Sequence, residues 1–344
     1  MRCPTLSELP SPPLGRNGWP WTEESPQLPD TMADGRPWPR ISIVTPSYNQ
    51  GQFIEETVRS ALLQGYPNLE YIIIDGGSTD DSVKIIRRYE GWLVHWTSEP
   101  DRGQADAINK GFCRATGKIL GWLNSDDLME RSTLDAVSNF WIDNPSVHFL
   151  TGDGEIVDST GKGVIYSIRP RQYSLLELLQ FHKGKYLPQP SVFFSREALL
   201  EAGGLKAEFS YSMDLDLWLR IRGRHRLYYL SRSLSRLRRH EEAKTQRYED
   251  RAVEETWRVI LNHLTLVRPL RRVLVRLGIN LFYACTLCRR GLMHYFSLQH
   301  REALAYLWLA VRTHPGVVVL PEGLKLWLRL LLPLSLRRGL FKRP

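Results

Sequence analysis

"RISIVTPSYNQGQFIEETVRSALLQGYPNLEYIIIDGGSTDDS", residues 40–82, decides the fold. A short β-branched run at 41–45 is closed by Pro46, which reads as a buried strand ending in a turn. Apolar residues at 54, 58, 61 and 62 then recur at helical spacing and mark one buried helix face. "LEYIIID" (69–75) is a second apolar strand, and it ends on Asp75. In the loop that follows, Ser78 or Asp80 is placed to cap the next helix. Strand, helix, strand, helix in this rhythm predicts an α/β domain with a mainly parallel sheet.

Outward from that stretch, "LVHWTSE" (93–99) reads as a third strand, "GQADAINKGFCRAT" (103–116) as a helix and "KILGWLN" (118–124) as a fourth strand. Ligands of such sheets sit beyond the carboxyl ends of the strands. Thr45, Asp75 and the cluster Asn124-Ser125-Asp126-Asp127 all terminate predicted strands, so three acceptor-rich ends share one edge. Neighbouring carboxylates repel unless something cationic stands between them. A hard divalent cation such as Mg²⁺ or Mn²⁺ suits Asp126 and Asp127, because it takes oxygen ligands and keeps positions for phosphate oxygens. The alternative is that Ser125 or Asp126 caps a helix beginning near Leu128. Asp75 can accept from a base or a ribose, with Gly76-Gly77 allowing close approach, or it is an ordinary turn residue. No phosphate-loop lysine follows those glycines and no GxGxxG is present, so a P-loop or dinucleotide fingerprint is not supported. Further on, "SVFFSREALLEAGG" (191–204) reads as strand then helix, and "DLDLWLRIRGR" (214–224) as a helix opening with acids.

The 344 residues suit one large or two small domains. Residues 1–39 form a Pro/Gly-rich extended leader, 40–245 the α/β domain and 246–344 a basic, mainly helical region. Net charge is +9, yet residues 1–219 carry about −9 and residues 220–344 about +18. A basic region of this kind suits nucleic acid, an anionic membrane or an anionic substrate. Nucleic acid is set aside, because the arginines fall in leucine-rich helices without a recognition module or a base-stacking platform. "LKLWLRLLLPLSLRRGLFKRP" (324–344) has the composition of an amphipathic helix at an anionic membrane surface, or of a helix packing its leucine face inward. Four cysteines imply a reducing compartment; Cys285-Thr-Leu-Cys288 has redox or zinc spacing, but no second pair accompanies it. The first 30 residues lack a secretory pattern, and no run reaches the roughly 18–20 apolar residues of a membrane span. These features imply a cytoplasmic protein, free or peripheral at the membrane.

"ISIVTPSYNQGQFIEETVRSALLQGYPNLEYIIIDGGSTDDS", "EPDRGQADAINKGFCRATGKILGWLNSDD" and "SYSMDLDLWLR" together resemble glycosyltransferase family 2, over roughly residues 40–245. The resemblance implies a GT-A fold and inverting transfer of a sugar from a nucleotide-diphosphate sugar to an acceptor hydroxyl, in building a polysaccharide or cell-surface glycan. Thr45-Pro46 match the family's nucleotide contact, Asp75 the acid that reads the base, and Arg102 lies where relatives place a basic group near the nucleotide. Residues 124–127 match the metal-binding DxD motif, with Asn124 in place of the first acid and a role for its amide toward the sugar or ribose. Asp126 or Asp127 carries the metal, and sequence leaves open which. His240 resembles a histidine that reaches the metal or diphosphate from a closing loop, or it is a lone surface histidine. Asp214 matches the general base, and Asp216 is its rival by spacing. The Gln-x-x-Arg-Trp motif of processive synthases is absent, which implies addition of one sugar or few, to a glycan or lipid-linked acceptor. A nucleotide-sugar-binding protein without turnover and a nucleotidyltransferase are the alternative readings.

Overall fold

The computed structural model describes residues 1–267, 269–297 and 299–331. The chain divides into two compact units, the first made of Met1–Leu178 with Lys185–Glu249 and the second of Leu179–Gly184 with Asp250–Pro344.

The first unit opens with β1 (Ile41–Ser47), α1 (Ile54–Leu62), β2 (Leu69–Asp75), α2 (Ser82–Arg88), β3 (His95–Ser98), α3 (Gln104–Arg114) and β4 (Ile119–Trp122). It continues through β5 (Leu128–Met129), α4 (Thr133–Asp143), β6 (Phe149–Val157), β7 (Val164–Ile168) and α5 (Leu175–Leu178). It ends with β8 (Val192–Ser195), α6 (Arg196–Ala202), α7 (Met213–Arg222), β9 (Tyr228–Arg238) and α8 (Lys244–Arg247). One sheet runs in the order β3-β2-β1-β4-β8-β6-β9-β5, with β7 beside β6. Its β3-β2-β1-β4 part is parallel, while β8 and β7 run antiparallel to β6 and only β9 is parallel to it. The fold is thus the expected α/β class, with the parallel half carrying the strand ends singled out in the sequence.

β1 and β2 are buried at every position, as strands covered on both faces must be. Their polar residues are therefore partnered: Ser42 donates to Glu70, and Thr45 Oγ1 lies 3.0 Å from the Tyr71 hydroxyl. Pro46 is tolerated in this central strand because β4 pairs only with residues 41–44, leaving no donor required there. Trp218 of α7 stacks on Trp122 of β4 with centroids 5.1 Å apart, and Phe149 and Phe194 close around them. That aromatic cluster fixes the start of α7 against the end of β4.

Two sequence expectations change. The leader is not merely extended: Cys3, Leu9 and Trp21 are buried, and the leader covers the outer side of α1. Arg59, which helical spacing places away from the apolar face, is fully buried and donates to the carbonyls of Pro10, Pro20 and Trp21. Second, no helix begins near Leu128. Leu128–Met129 form β5, paired with Ser235 and Arg236 of β9, and the next helix starts at Thr133. The capping role offered for Ser125 or Asp126 therefore falls.

The second unit is helical, with α9 (Glu249–His263), α10 (Pro269–Phe296), α11 (His300–Thr313) and α12 (Pro321–Leu331). Tyr283, Leu287, Cys288, Ala303, Leu307 and Leu326 form its core. Cys288 is wholly buried and its thiol is pushed up to about 12 by burial, so this half of the Cys285/Cys288 pair is a packing residue. Among the described residues no helix is long and apolar enough to cross a membrane. Of the stretch 324–344, residues 332–344 lie outside the described residues.

Candidate active site

A cleft of about 1460 Å³ opens at the carboxyl ends of the parallel strands. Pro46, Gly76, Gly77, Asp101, Asn124, Asp126, Asp127 and Asp214 line it, so the ends of β1, β2 and β4 and the start of α7 meet in one place. Its size holds a nucleotide sugar with space left for an acceptor.

The wall at β2 is a tightly bonded turn. Asp75 is buried and accepts from the Gly77 and Ser78 N–H groups at 3.1 and 2.8 Å and from the Ser78 and Ser98 hydroxyls at 2.6 and 2.7 Å. Gly76 is required by crowding, since a Cβ there would stand 2.7 Å from Asp101 Oδ2, and Gly77 holds a φ of +82°. Asp75 therefore shapes the turn that presents Gly76 and Gly77 to the cleft, while Asp101 occupies the space that the glycine leaves. The Thr45 side chain faces Tyr71 in the core rather than the cleft; its neighbour Pro46 lines the opening. Arg102 points outward, its side chain 83 % exposed and paired with Asp106 at 2.9 Å.

The floor is the cluster beyond β4. Asn124 is held on three sides: its Oδ1 accepts from Gln104 Nε2 at 2.8 Å, and its Nδ2 donates to Asp127 Oδ2 at 3.1 Å and Gln189 Oε1 at 2.9 Å. Asp127 is buried, and its Oδ1 accepts from the Arg238 N–H at 3.0 Å. Burial, and after it the charge of Asp126, pushes the Asp127 carboxyl well above the usual carboxylate range. Asp126 is the more exposed acid, and its Oδ2 lies 3.1 Å from His240 Nε2. His240, drawn from beyond β9 and 114 residues away, is thus no surface histidine; it is 8 % exposed and packs on Phe53.

Whether these residues fit a divalent cation turns on their donors. Among the described residues no three His, Cys, Asp or Glu side chains converge as a closed ligand set. Asp127 has both oxygens engaged, whereas Asp126 and His240 stand together at the cleft. One carboxylate and one imidazole, with the remaining positions open to phosphate oxygens and water, fit Mg²⁺ or Mn²⁺ held partly by substrate.

Asp214 lies in the first turn of α7 and lines the cleft; its Oδ1 accepts from the Leu215 N–H at 2.8 Å. Asp216 is fully buried and paired with Arg220 at 2.6 Å, which disposes of it as a rival. Several cleft residues carried no local signal in the sequence. Gln104 and Gln189 hold Asn124, and Tyr211, Glu242, Lys244 and Arg247 form the wall near α7 and α8. Glu242 is tied to Gln52 at 2.7 Å, a pairing across 190 residues.

The chain matches the family described as glycosyl transferase family 2 over residues 42–202. The uncharacterized glycosyltransferase Rv1514c of Mycobacterium tuberculosis (strain H37Rv) is 33 % identical over 187 residues, covering 53 % of this chain and 68 % of its own. A Bacillus subtilis protein named as a teichuronic acid biosynthesis glycosyltransferase, TuaG, is 37 % identical over 117 residues, which are 33 % of this chain and 46 % of that one. Among solved structures, Staphylococcus aureus TarS 1–349 in complex with UDP-GlcNAc superimposes with a TM-score of 0.58 at 17 % identity, over 88 % of this chain and 93 % of that one. The mannosyltransferase PcManGT of Pyrobaculum calidifontis, in complex with GDP-Man and Mn²⁺, does so with 0.50 at 19 % identity, over 89 % and 85 %. The chain belongs to glycosyltransferase family 2 and is a glycosyltransferase of the same fold as these structures.

Proposed function

We propose that the protein transfers a sugar from a nucleotide-diphosphate sugar to an acceptor hydroxyl with inversion, and that it does so in the cytoplasm during synthesis of a polysaccharide or cell-surface glycan. The observation that carries this reading is the placement of Asp214 and the Asn124–Asp127 cluster on one cleft, while Asp216 is consumed by Arg220. The nucleotide lies against Pro46, Gly76 and Gly77, with Asp75 acting through the turn it braces. Asn124 presents its amide to the sugar or ribose. Asp126 and His240 hold a divalent cation, which when bound neutralises charge on the leaving diphosphate. Asp214 takes the proton of the acceptor hydroxyl as that oxygen attacks the anomeric carbon. Support for the donor class and the cation comes from the UDP-GlcNAc of TarS and the GDP-Man and Mn²⁺ of PcManGT. Support for the pathway comes from the name of TuaG. The acceptor is a glycan or lipid-linked saccharide, and the basic helical region favours peripheral contact with an anionic membrane.

The test is a thermal-shift and hydrolysis screen against UDP-, GDP- and dTDP-sugars, with and without Mn²⁺, on wild type, Asp126→Ala and Asp214→Asn. One nucleotide class should stabilise the wild type in a metal-dependent way, Asp126→Ala should lose that effect, and Asp214→Asn should keep it while losing turnover. Binding without turnover in the wild type, given any acceptor, would favour a nucleotide-sugar-binding protein, and no binding at all would remove the proposal.

A further inference from the structure

The first turn of α1 and the residue before it reach every part of the acidic cluster. Thr57 Oγ1 stands 2.9 Å from the Ser125 carbonyl and 2.8 Å from the Asp127 carbonyl, and so fixes the backbone of the turn. Glu56 and Arg238 form an ion pair of 2.9 Å whose side chains are 4 % and 2 % exposed. The backbone N–H of that same Arg238 is the donor to Asp127 Oδ1. Phe53 packs against both the Arg238 guanidinium, at 4.7 Å, and the His240 ring, at 4.5 Å. His240 in turn meets Asp126. On its other side the preceding segment is bonded to the turn after β2: the Asn49 N–H donates to Ser78 Oγ at 2.8 Å, Gln50 to Ser82 Oγ at 2.9 Å and Gly51 to Asp80 Oδ2 at 2.8 Å.

A buried ion pair adds little stability over a well-packed apolar pair, so stability gives a weak reason for Glu56 and Arg238 to stand here. Geometry gives a stronger one. Asp127 would otherwise turn freely about its side-chain torsions toward Asp126, and His240 would have no surface against which to hold its ring. We propose that Phe53, Glu56 and Thr57 are positioning residues for the acidic cluster: through Arg238 and His240 they set the directions in which Asp126 and Asp127 present oxygen to a cation and diphosphate. This rests on the transferase reading. None of the three touches substrate; each acts through a residue that does, or through the backbone beneath it.

Partners of this kind change metal affinity by about 10- to 100-fold when lost. The experiment titrates Mn²⁺ calorimetrically into full-length protein saturated with UDP or GDP, and separately titrates each nucleotide in the presence of chelator. Phe53→Ala and Thr57→Val should weaken Mn²⁺ by about tenfold or more while leaving the metal-free nucleotide dissociation constant within about twofold. Phe53→Leu, which restores an apolar surface under Arg238 and His240, should recover most of the loss. Should Glu56→Gln fail to fold, the Phe53 and Thr57 variants still decide. Folded Phe53→Ala and Thr57→Val proteins with wild-type Mn²⁺ affinity overturn the proposal, as does an equal loss of nucleotide and Mn²⁺ binding, which is general loosening. A wild type that binds nucleotide but never Mn²⁺ overturns it while sparing the transferase reading, and a wild type that binds no nucleotide sinks both.

Discussion

Asn124→Asp, which restores the acid that the cluster lacks, tests the electrostatics of the site. The substitution keeps the volume and removes both Nδ2 donations, to Asp127 at 3.1 Å and to Gln189 at 2.9 Å. It also sets a second carboxyl against one that burial already holds well above the usual range. Two ionised carboxylates 3.1 Å apart repel by about 5 kcal/mol at an effective dielectric constant of about 20. Keeping a proton is the cheaper state, so the folded pair retains one to a pH at which the unfolded chain has released it. A carboxyl whose folded pKa lies above its unfolded value loses stability as pH rises between the two, at about 1.4 kcal/mol per pH unit for one proton. In the wild type, donors on both Asp127 oxygens support the ionised form and limit this effect. The variant should therefore lie near wild type at pH 5 and fall below it by up to about 3 kcal/mol at pH 7. Urea unfolding followed by tryptophan fluorescence at pH 5, 6 and 7, with chelator present, measures the difference. A deficit that is the same at all three values refutes the reasoning, because lost hydrogen bonds alone carry no such dependence on pH.

Further outcomes follow from the same structure. Asp214→Asn should lower turnover by about 10²- to 10⁴-fold with nucleotide binding intact, whereas Asp216→Asn should lower stability through the loss of its Arg220 pairing; kinetics beside denaturation curves separates the two. Arg59→Met should destabilise the first unit by about 3 kcal/mol, since three buried carbonyls lose their donor, and near-wild-type unfolding would show that the leader is not anchored there. Burial alone would raise the Glu70 carboxyl, but donation from Ser42, Thr116 and Gly117 outweighs it and holds the group below its ordinary 4.5. A depressed carboxyl stabilises above its unfolded pKa, and that stability is lost as pH falls through the folded value. Glu70→Gln should flatten the acid limb of the stability profile below about pH 4.5, and an unchanged acid limb would contradict this.

Much of the fold was legible because burial on both faces leaves its mark in composition. β1 and β2 are near-continuous apolar runs, and Asp75 and Asn124–Asp127 stand where those runs stop. The opening of α7 was legible too, since acids in a first turn precede a periodic apolar face, although only the packed structure separates Asp214 from Asp216. What was not legible lies at long separation. The Glu56–Arg238 pair spans 182 residues and Gln52–Glu242 spans 190, and nothing local to either member announces the other. The helix expected near Leu128 failed for a related reason: two residues were recruited to pair with β9, and a distant strand overrode the local capping pattern. Thr45 shows a subtler limit, because a strand end fixes where a residue sits but its pleat decides which face it serves.

Arg59 also separates two edges that comparison among relatives treats as one. Shared ancestry is visible from residue 42, yet the guanidinium at the back of α1 is completed by carbonyls contributed by residues 10, 20 and 21. A fragment trimmed to the conspicuous segment would carry an interior cation stripped of those contacts, so the smallest piece that inherits the chemistry is not the smallest piece that folds. The Pro-rich opening is thereby part of the catalytic body, and a change at Arg59 in a relative should be read together with that relative's own opening residues.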